Sequence, residues 1–266
     1  MGQMAPFKRL PVFGASLLLA ATQKAGQTID LEPVSYSVSL GRDGLCLGEV
    51  NAARLQAGLA EFAQPGPDNT AARLPAADPV DPWKPLCEGL IRMPEDNTSG
   101  KGTENQTSLG GTTYARMPVV STEPDCTATV NHWKAAFKNF SGLPPSREKS
   151  ADLYGDPDNV SFVALYNPSP NAYADCRVVT CNELENKPYV DLSSHTVKSN
   201  FLPTGNSAHA LICLTTPDVL QTGEADPFTQ KQWDQIKASL GNSSQATLPS
   251  ATILFAALFF AALWSL

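Results

Sequence analysis

The sequence predicts an α/β protein: a three-layer α/β/α sandwich around a mostly antiparallel sheet, held by three disulfides. Three observations lead there. Segments 43–58 and 124–140 repeat apolar residues at helical spacing along one side. The runs 160–166, 174–181 and 208–215 are apolar on both faces, as strands in the middle of a covered sheet are. All six cysteines lie between two ends that read as processing signals.

The N-terminus has the layout of a secretory signal. Lys8 and Arg9 provide a positive start, Leu10 to Ala21 is apolar, and small residues follow from Ala20 to Gly26. The apolar run is too short for a bilayer span, which needs about 20 residues. Residues 1–25 are therefore expected to be removed.

The opposite end, residues 251–266, is a greasy tail without a charge. A polar spacer, Gln245 to Ser250, precedes it, and small residues precede the spacer. Small site, spacer and apolar tail together read as a glycosylphosphatidylinositol attachment signal over 242–266, with Gly241, Asn242 and Ser243 as candidate attachment residues. A tail-anchored helix would be longer and flanked by basic residues. The predicted ectodomain, 26–241, has about 216 residues, the size of one large domain. The whole chain carries a net charge of −7, and losing Lys8, Arg9 and Lys24 makes the ectodomain more acidic still. That balance argues against nucleic acid and against direct binding to anionic lipid.

Within the ectodomain the first helix is expected over 43–58. Asp43 stands where a cap would, Cys46, Val50, Ala53 and Ala57 share one face, and Gly58 stops it. Between Phe62 and Thr122 the composition turns to Pro, Gly, Asn and Asp. Pro94 to Thr113 is expected to be an exposed, mobile loop. The second helix, about Pro124 to Phe140, buries Cys126, Val130, Trp133, Phe137 and Phe140, and Gly142 ends it. Strands follow at Val160–Tyr166, Ala174–Cys181 and Ala208–Thr215. The last two are joined by a long polar connection containing Pro188, Pro203 and Gly205. A short helix, Pro227 to Leu240, offers Phe228, Trp233, Ile236 and Leu240 for packing and leads to the tail.

Cys46, Cys87, Cys126, Cys176, Cys181 and Cys213 form an even set in an exported chain, which implies three disulfides and leaves fifteen connectivities open. No CxxC pair or cysteine–histidine cluster occurs, so zinc is not expected. Asn97, Asn105, Asn139, Asn159 and Asn242 begin Asn-x-Ser/Thr sequons and are candidate glycan sites. Chemistry is sparse. The three histidines, His132, His195 and His209, stand apart, Glu49 and Glu61 read as solvated, and no GxSxG, HExxH or phosphate loop is present. The sequence offers no catalytic residue, metal site or cofactor, and the expected role is non-enzymatic.

Four segments carry a family resemblance: CLGEVNAARLQAGLAEF (Cys46 to Phe62), CTATVNHWKAAFKNF (Cys126 to Phe140), ADCRVVTC (Ala174 to Cys181) and ALIC (Ala210 to Cys213). Together they resemble the SAG family of lipid-anchored surface antigens of Eimeria, coccidian parasites of poultry. That family is similar in fold to the CAP superfamily of cysteine-rich secretory, antigen 5 and pathogenesis-related proteins. The resemblance implies a CAP-like sandwich and a parasite surface antigen at the outer face of the membrane, meeting host-cell molecules or antibodies. A lipid- or sterol-binding CAP-like module is the alternative. Many CAP proteins hold a metal cleft of two histidines and two acidic residues, one histidine being on the strand equivalent to Val160–Tyr166. No histidine stands there, and no cleft residue is carried over. By similarity to plant CAP proteins the implied pairs are Cys176–Cys213, Cys181–Cys46 and Cys87–Cys126.

Overall fold

A computed structural model describes residues 34–92, 108–109, 112–191, 193, 196–220, 223 and 225–242. The proposed signal segment, most of the proposed loop, and the chain beyond Asn242 lie outside them. The order is β1 (Ser35–Leu40), α1 (Leu47–Gln56), α2 (Lys84–Ile91), β2 (Ser108–Leu109), β3 (Thr112–Val119), α3 (Cys126–Ala135), α4 (Pro157–Leu165), β4 (Tyr173–Asp191), β5 (Thr196–Thr216) and α5 (Gln230–Asn242), with short 3-10 turns between. The strands form one antiparallel sheet in the order β1-β4-β5-β3-β2. This is a mixed α/β fold with helices laid on an antiparallel sheet.

Alternation along the central strands sends side chains to two separate cores. Ala174, Cys176 and Val178 of β4, with Leu211 and Cys213 of β5, face a core completed by α1, α3, α4 and α5. Val179, Cys181, Ala210, Ile212 and Leu214 face the second, closed by Trp83 and by Leu86, Cys87 and Leu90 of α2. The first core contains an aromatic cluster: Phe137 lies 5.3 Å from Trp233, Phe140 5.2 Å from Phe162, and Phe162 5.1 Å from Tyr166, centroid to centroid. These tilted and edge-on rings add to what area burial alone contributes.

The helices start where local chemistry permits. Asp125 caps α3 by accepting from the Ala128 amide at 2.9 Å. Thr229 and Gln232 form a reciprocal capping box at α5: the Gln232 amide donates to Thr229 Oγ1, and the Thr229 amide to Gln232 Oε1. Helix α1 departs from expectation. Its first-turn neighbour is Cys46, at φ 64°, and no side chain caps it. Asp43 instead joins an ion-pair chain, accepting from Arg73 at 2.6 Å and from Arg177 at 2.8 Å. Gly58 does follow α1 at φ 70°, and an added Cβ there would meet Gln235 Nε2 at 3.0 Å.

Residues 160–166 are not a strand. They belong mostly to α4, where Asp156 caps by accepting from the Asp158 amide and Pro157 takes the first-turn position where it needs no partner. Every residue of α4 except Asp158 is buried. A helix apolar all round has the same hydropathy as a covered strand.

The polar connection between 181 and 208 is likewise no loop: β4 and β5 run on as a paired hairpin from Leu184–Pro203 to Asp191–Thr196. The proposed mobile segment ends in β2 and the start of β3, and α2 and β1 are elements beyond those the sequence pattern predicts.

The disulfides are Cys46–Cys126, Cys87–Cys181 and Cys176–Cys213. The first joins α1 to α3 within the helical layer. The second ties α2 to β4, and the third crosses from β4 to β5. The implied pairs Cys181–Cys46 and Cys87–Cys126 are therefore corrected. Strand parity gives the reason, because Cys46 lies in the first core and Cys181 faces the second. The chain-entropy account assigns each closure about 4–5 kcal/mol.

Arg54 is only 1% exposed yet faces no carboxylate. Its Nε donates to Ala60 O at 2.9 Å, and its Nη1 to Leu165 O at 3.0 Å and Asn167 O at 2.9 Å. The guanidinium stands 3.5 Å from the centroid of the Phe62 ring. Burial pulls its pKa down to about 10, which still leaves it charged at neutral pH. Carbonyls at the C-terminal end of α4 are well suited to a cation. Arg54→Ala would strand three buried acceptors, so a loss of about 3 kcal/mol or more is expected in chemical denaturation; an unchanged midpoint would contradict this role.

Candidate functional site

Past Leu184 and Pro203 the β4–β5 pair leaves the sheet. β1 pairs with β4 only as far as Leu184, and β3 pairs with β5 only over Val119–Tyr114 opposite His209–Leu214. Residues 184–191 and 196–203 thus form a two-stranded ribbon extending about 25 Å at the usual rise per residue, and no third strand joins it among the described residues. Its root is a bulge in which Glu183 stands opposite Thr204, Gly205 and Asn206. The Glu183 carboxylate accepts from Thr204 Oγ1 at 3.1 Å and Asn206 Nδ2 at 2.6 Å, while Gly205 supplies φ 95°. Bulges of this kind re-aim strands. The ribbon carries Phe201, 52% exposed, and Leu202, 39% exposed, two adjacent apolar side chains on opposite faces.

The two ribbon prolines share a position type. Pro188 pairs with Ser199, and Pro203 with Leu184. Residues 184, 186 and 188 have one parity, as do 199, 201 and 203. Proline cannot donate into a ladder and so occupies outward-pointing positions. Each outer edge of the ribbon consequently lacks one donor, a device that blunts strand addition. The same prolines disguise the ribbon as a loop in the sequence.

A second exposed feature joins two helices. His132 Nε2 of α3 lies 3.0 Å from Asp158 Oδ1 of α4. The bond to Asp158 raises the His132 pKa above its ordinary 6.5, against a smaller lowering by burial and with additional help from Asp156. The same bond lowers Asp158 below 3.8, and Arg116 and Lys138 add to the effect. His209 is held on the sheet by Thr180 Oγ1, 2.9 Å from its Nδ1. His195 lies outside the described residues. Of the described histidines, His132 joins two helices and His209 lies on the sheet, and Glu49 and Glu61 are exposed, as expected.

A shallow cleft of about 320 Å³ is lined by Pro168, Ser169, Asp218, Val219, Asp226 and Pro227, among others. Both of its carboxylates are committed. Asp218 accepts from Thr113 Oγ1 at 2.5 Å and the Leu220 amide at 2.8 Å, while Asp226 accepts from the Ser146 amide at 2.9 Å and Lys149 at 2.8 Å. The apolar groove required by a lipid or sterol carrier is not what these residues build. Among the described residues no group of three or more His, Cys, Asp or Glu could hold a metal ion, and no helix is long and apolar enough to cross a membrane.

Of the sequons, Asn97 and Asn105 fall outside the described residues. Asn139 is exposed and donates to Asn159 Oδ1 at 2.8 Å. Asn159 is 3% exposed, and its own amide donates to Leu153 O at 2.8 Å. A glycan on Asn159 would have to displace that bond within the core, which argues against the site in the folded chain. Gly241 and Asn242 are the last residues of α5, and Ser243 is beyond the described chain.

Comparison with known proteins gives two matches. The family model described as the sporozoite surface antigen (SAG) protein domain matches residues 42–255. The sporulated oocyst TA4 antigen of Eimeria tenella is 28% identical over 159 residues, covering 56% of this chain and 57% of that protein's length. No solved structure matches.

Two outcomes are expected. By NMR titration His132 should show a midpoint above 6.5, and Asp158→Asn should bring it down. The pair stabilises most fully between pH 3.8 and 6.5, fading as pH rises through the raised His132 value or falls through the lowered Asp158 value; an unshifted midpoint in the variant would contradict the pairing. Separately, replacing Pro188 and Pro203 together with Thr restores outward donors, and light scattering after size exclusion should then show more self-association than in the unsubstituted protein.

Proposed function

The chain belongs to the sporozoite surface antigen (SAG) family, and from that premise we propose that it is a lipid-anchored display protein whose exposed ribbon takes part in host-cell attachment or immune exposure. The observation that carries this is the family match over 42–255, which takes in nearly all of the described fold. It fits an exported chain in which all six cysteines are paired, since disulfides persist in oxidising compartments. The apolar tail after α5 supports a glycosylphosphatidylinositol anchor on Gly241, Asn242 or Ser243. Helices on both covered faces of the sheet favour a three-layer, CAP-like reading of the sandwich. The role requires no catalytic group.

Phe201 and Leu202 are large exposed apolar side chains on the ribbon, and apolar anchors of this type dominate recognition surfaces. Soluble ectodomain should compete with parasites for host cells, and the F201S/L202S form should compete less while keeping the same fold by circular dichroism. Lack of competition at saturating protein would remove attachment and leave immune exposure. Phosphatidylinositol-specific phospholipase C should release the chain from intact cells; retention on the membrane would refute the lipid anchor.

A further inference from the structure

We infer that the displayed domain has a fixed polarity: α5 brings the chain out at the base of the sheet, and the β4–β5 ribbon is the membrane-distal end. The inference rests on the lipid-anchor reading for the word membrane, while the polarity itself rests on contacts within the fold. The base is defined by the start of β4 and the end of β5. There the Ala63 amide donates to Ala172 O, the Ala174 amide to Ala63 O, and Asn167 Nδ2 to Pro217 O. The C-terminal ends of α1 and α4 meet at the same place, because Arg54 links Ala60, Leu165 and Asn167.

Helix α5 runs toward that point. Near its start Trp233 lies 6.1 Å from Phe162, in the middle of α4. Two residues later Gln235 comes against Gly58, the residue that ends α1. Further on, the Ser239 side chain lies beside the Tyr166 hydroxyl, just after α4, and works against the rise that burial imposes on its pKa. Phe162 to Tyr166 and Trp233 to Ser239 therefore advance in one direction, toward the base. Strand β4 starts there and travels away for 19 residues, about 60 Å at the usual rise per residue. A molecule approaching in trans would meet the ribbon first, with the helical layer beneath it.

The test is a height measurement on the full chain displayed on cells. An azidophenylalanine in place of exposed Asn200 on the ribbon, or of exposed Glu61 at the base, is coupled to a donor dye, and energy transfer to an acceptor in the outer leaflet is read. About 40 Å of β4 separates the two levels, so transfer from the ribbon position should be at least about twofold weaker. A label at Lys187, on the paired strand, repeats the ribbon measurement if the Asn200 form folds poorly. Equal or stronger transfer from the ribbon would overturn the polarity. Phospholipase release, run in parallel, reports on the lipid anchor alone. If release fails, the same labelled chains with residues 251–266 replaced by a polyhistidine tag, held on nickel-chelating lipid, still decide which end faces the bilayer.

Discussion

The pairing of β4 with β5 is the constraint on which the remainder hangs. Its first half is covered on both faces and carries three of the six cysteines, so the sheet, the helical layer and α2 all take their positions from it. One disulfide lies within this pair, another attaches α2 to it, and the third locks two helices that rest on it. The second half leaves the core without changing register partners except at the Glu183 bulge. An isolated two-stranded ribbon is marginal in water, whereas this one continues a buried and disulfide-linked pair. Its order is borrowed from the core through the backbone.

Burial of charge follows the same geometry. Asp175 and Arg177 point to the second face from either side of Cys176. The Asp175 carboxylate, 1% exposed, accepts from the Leu74 amide at 2.8 Å and from Arg177 at 2.9 Å, and Arg177 continues to Asp43 and so to Arg73. Burial raises the Asp175 pKa, opposed by the Leu74 bond and by Arg73. The motif ADCRVVTC thereby has a physical content. It places a buried charge chain and Cys181 on one face and Cys176 on the other, and the strand's alternation does the sorting. Arg54 solves the complementary problem with carbonyls and an aromatic face instead of a carboxylate.

How much of this was legible follows from what each segment shows to a reader of one-dimensional pattern. The helix around Val130, Trp133 and Phe137 was plain because one side is apolar and the other charged. Both β4 and β5 are legible where they cross the core, at 174–181 and 208–215. Helix α4 has the pattern of a covered strand because hydropathy carries no period when all sides are covered; Asp156-Pro157 is the signal that marks a helix, a cap followed by a first-turn proline. The ribbon reads as a loop in the sequence because Pro188, Pro203 and Gly205 usually break strands, and only the register shows that the proline nitrogens fall on the outer edges and that the glycine serves a bulge. Disulfide connectivity was beyond reach, since it depends on which face each cysteine presents. The exposed ribbon as a candidate site was invisible for the same reason.

A division of labour results. The side chains that fix the fold, such as Arg54, Asp175, Trp133 and the six cysteines, are buried or bonded, whereas Phe201 and Leu202 touch solvent beyond the last core contact. Exposed substitutions away from caps, charges and special backbone positions usually change stability little. The ribbon can therefore change its side chains with small cost to the core, provided that the outward prolines and the Gly205 bulge persist. Under the proposed display role such an arrangement allows recognition to be altered at the far end of two strands while the disulfide-bonded half of the same strands keeps its register.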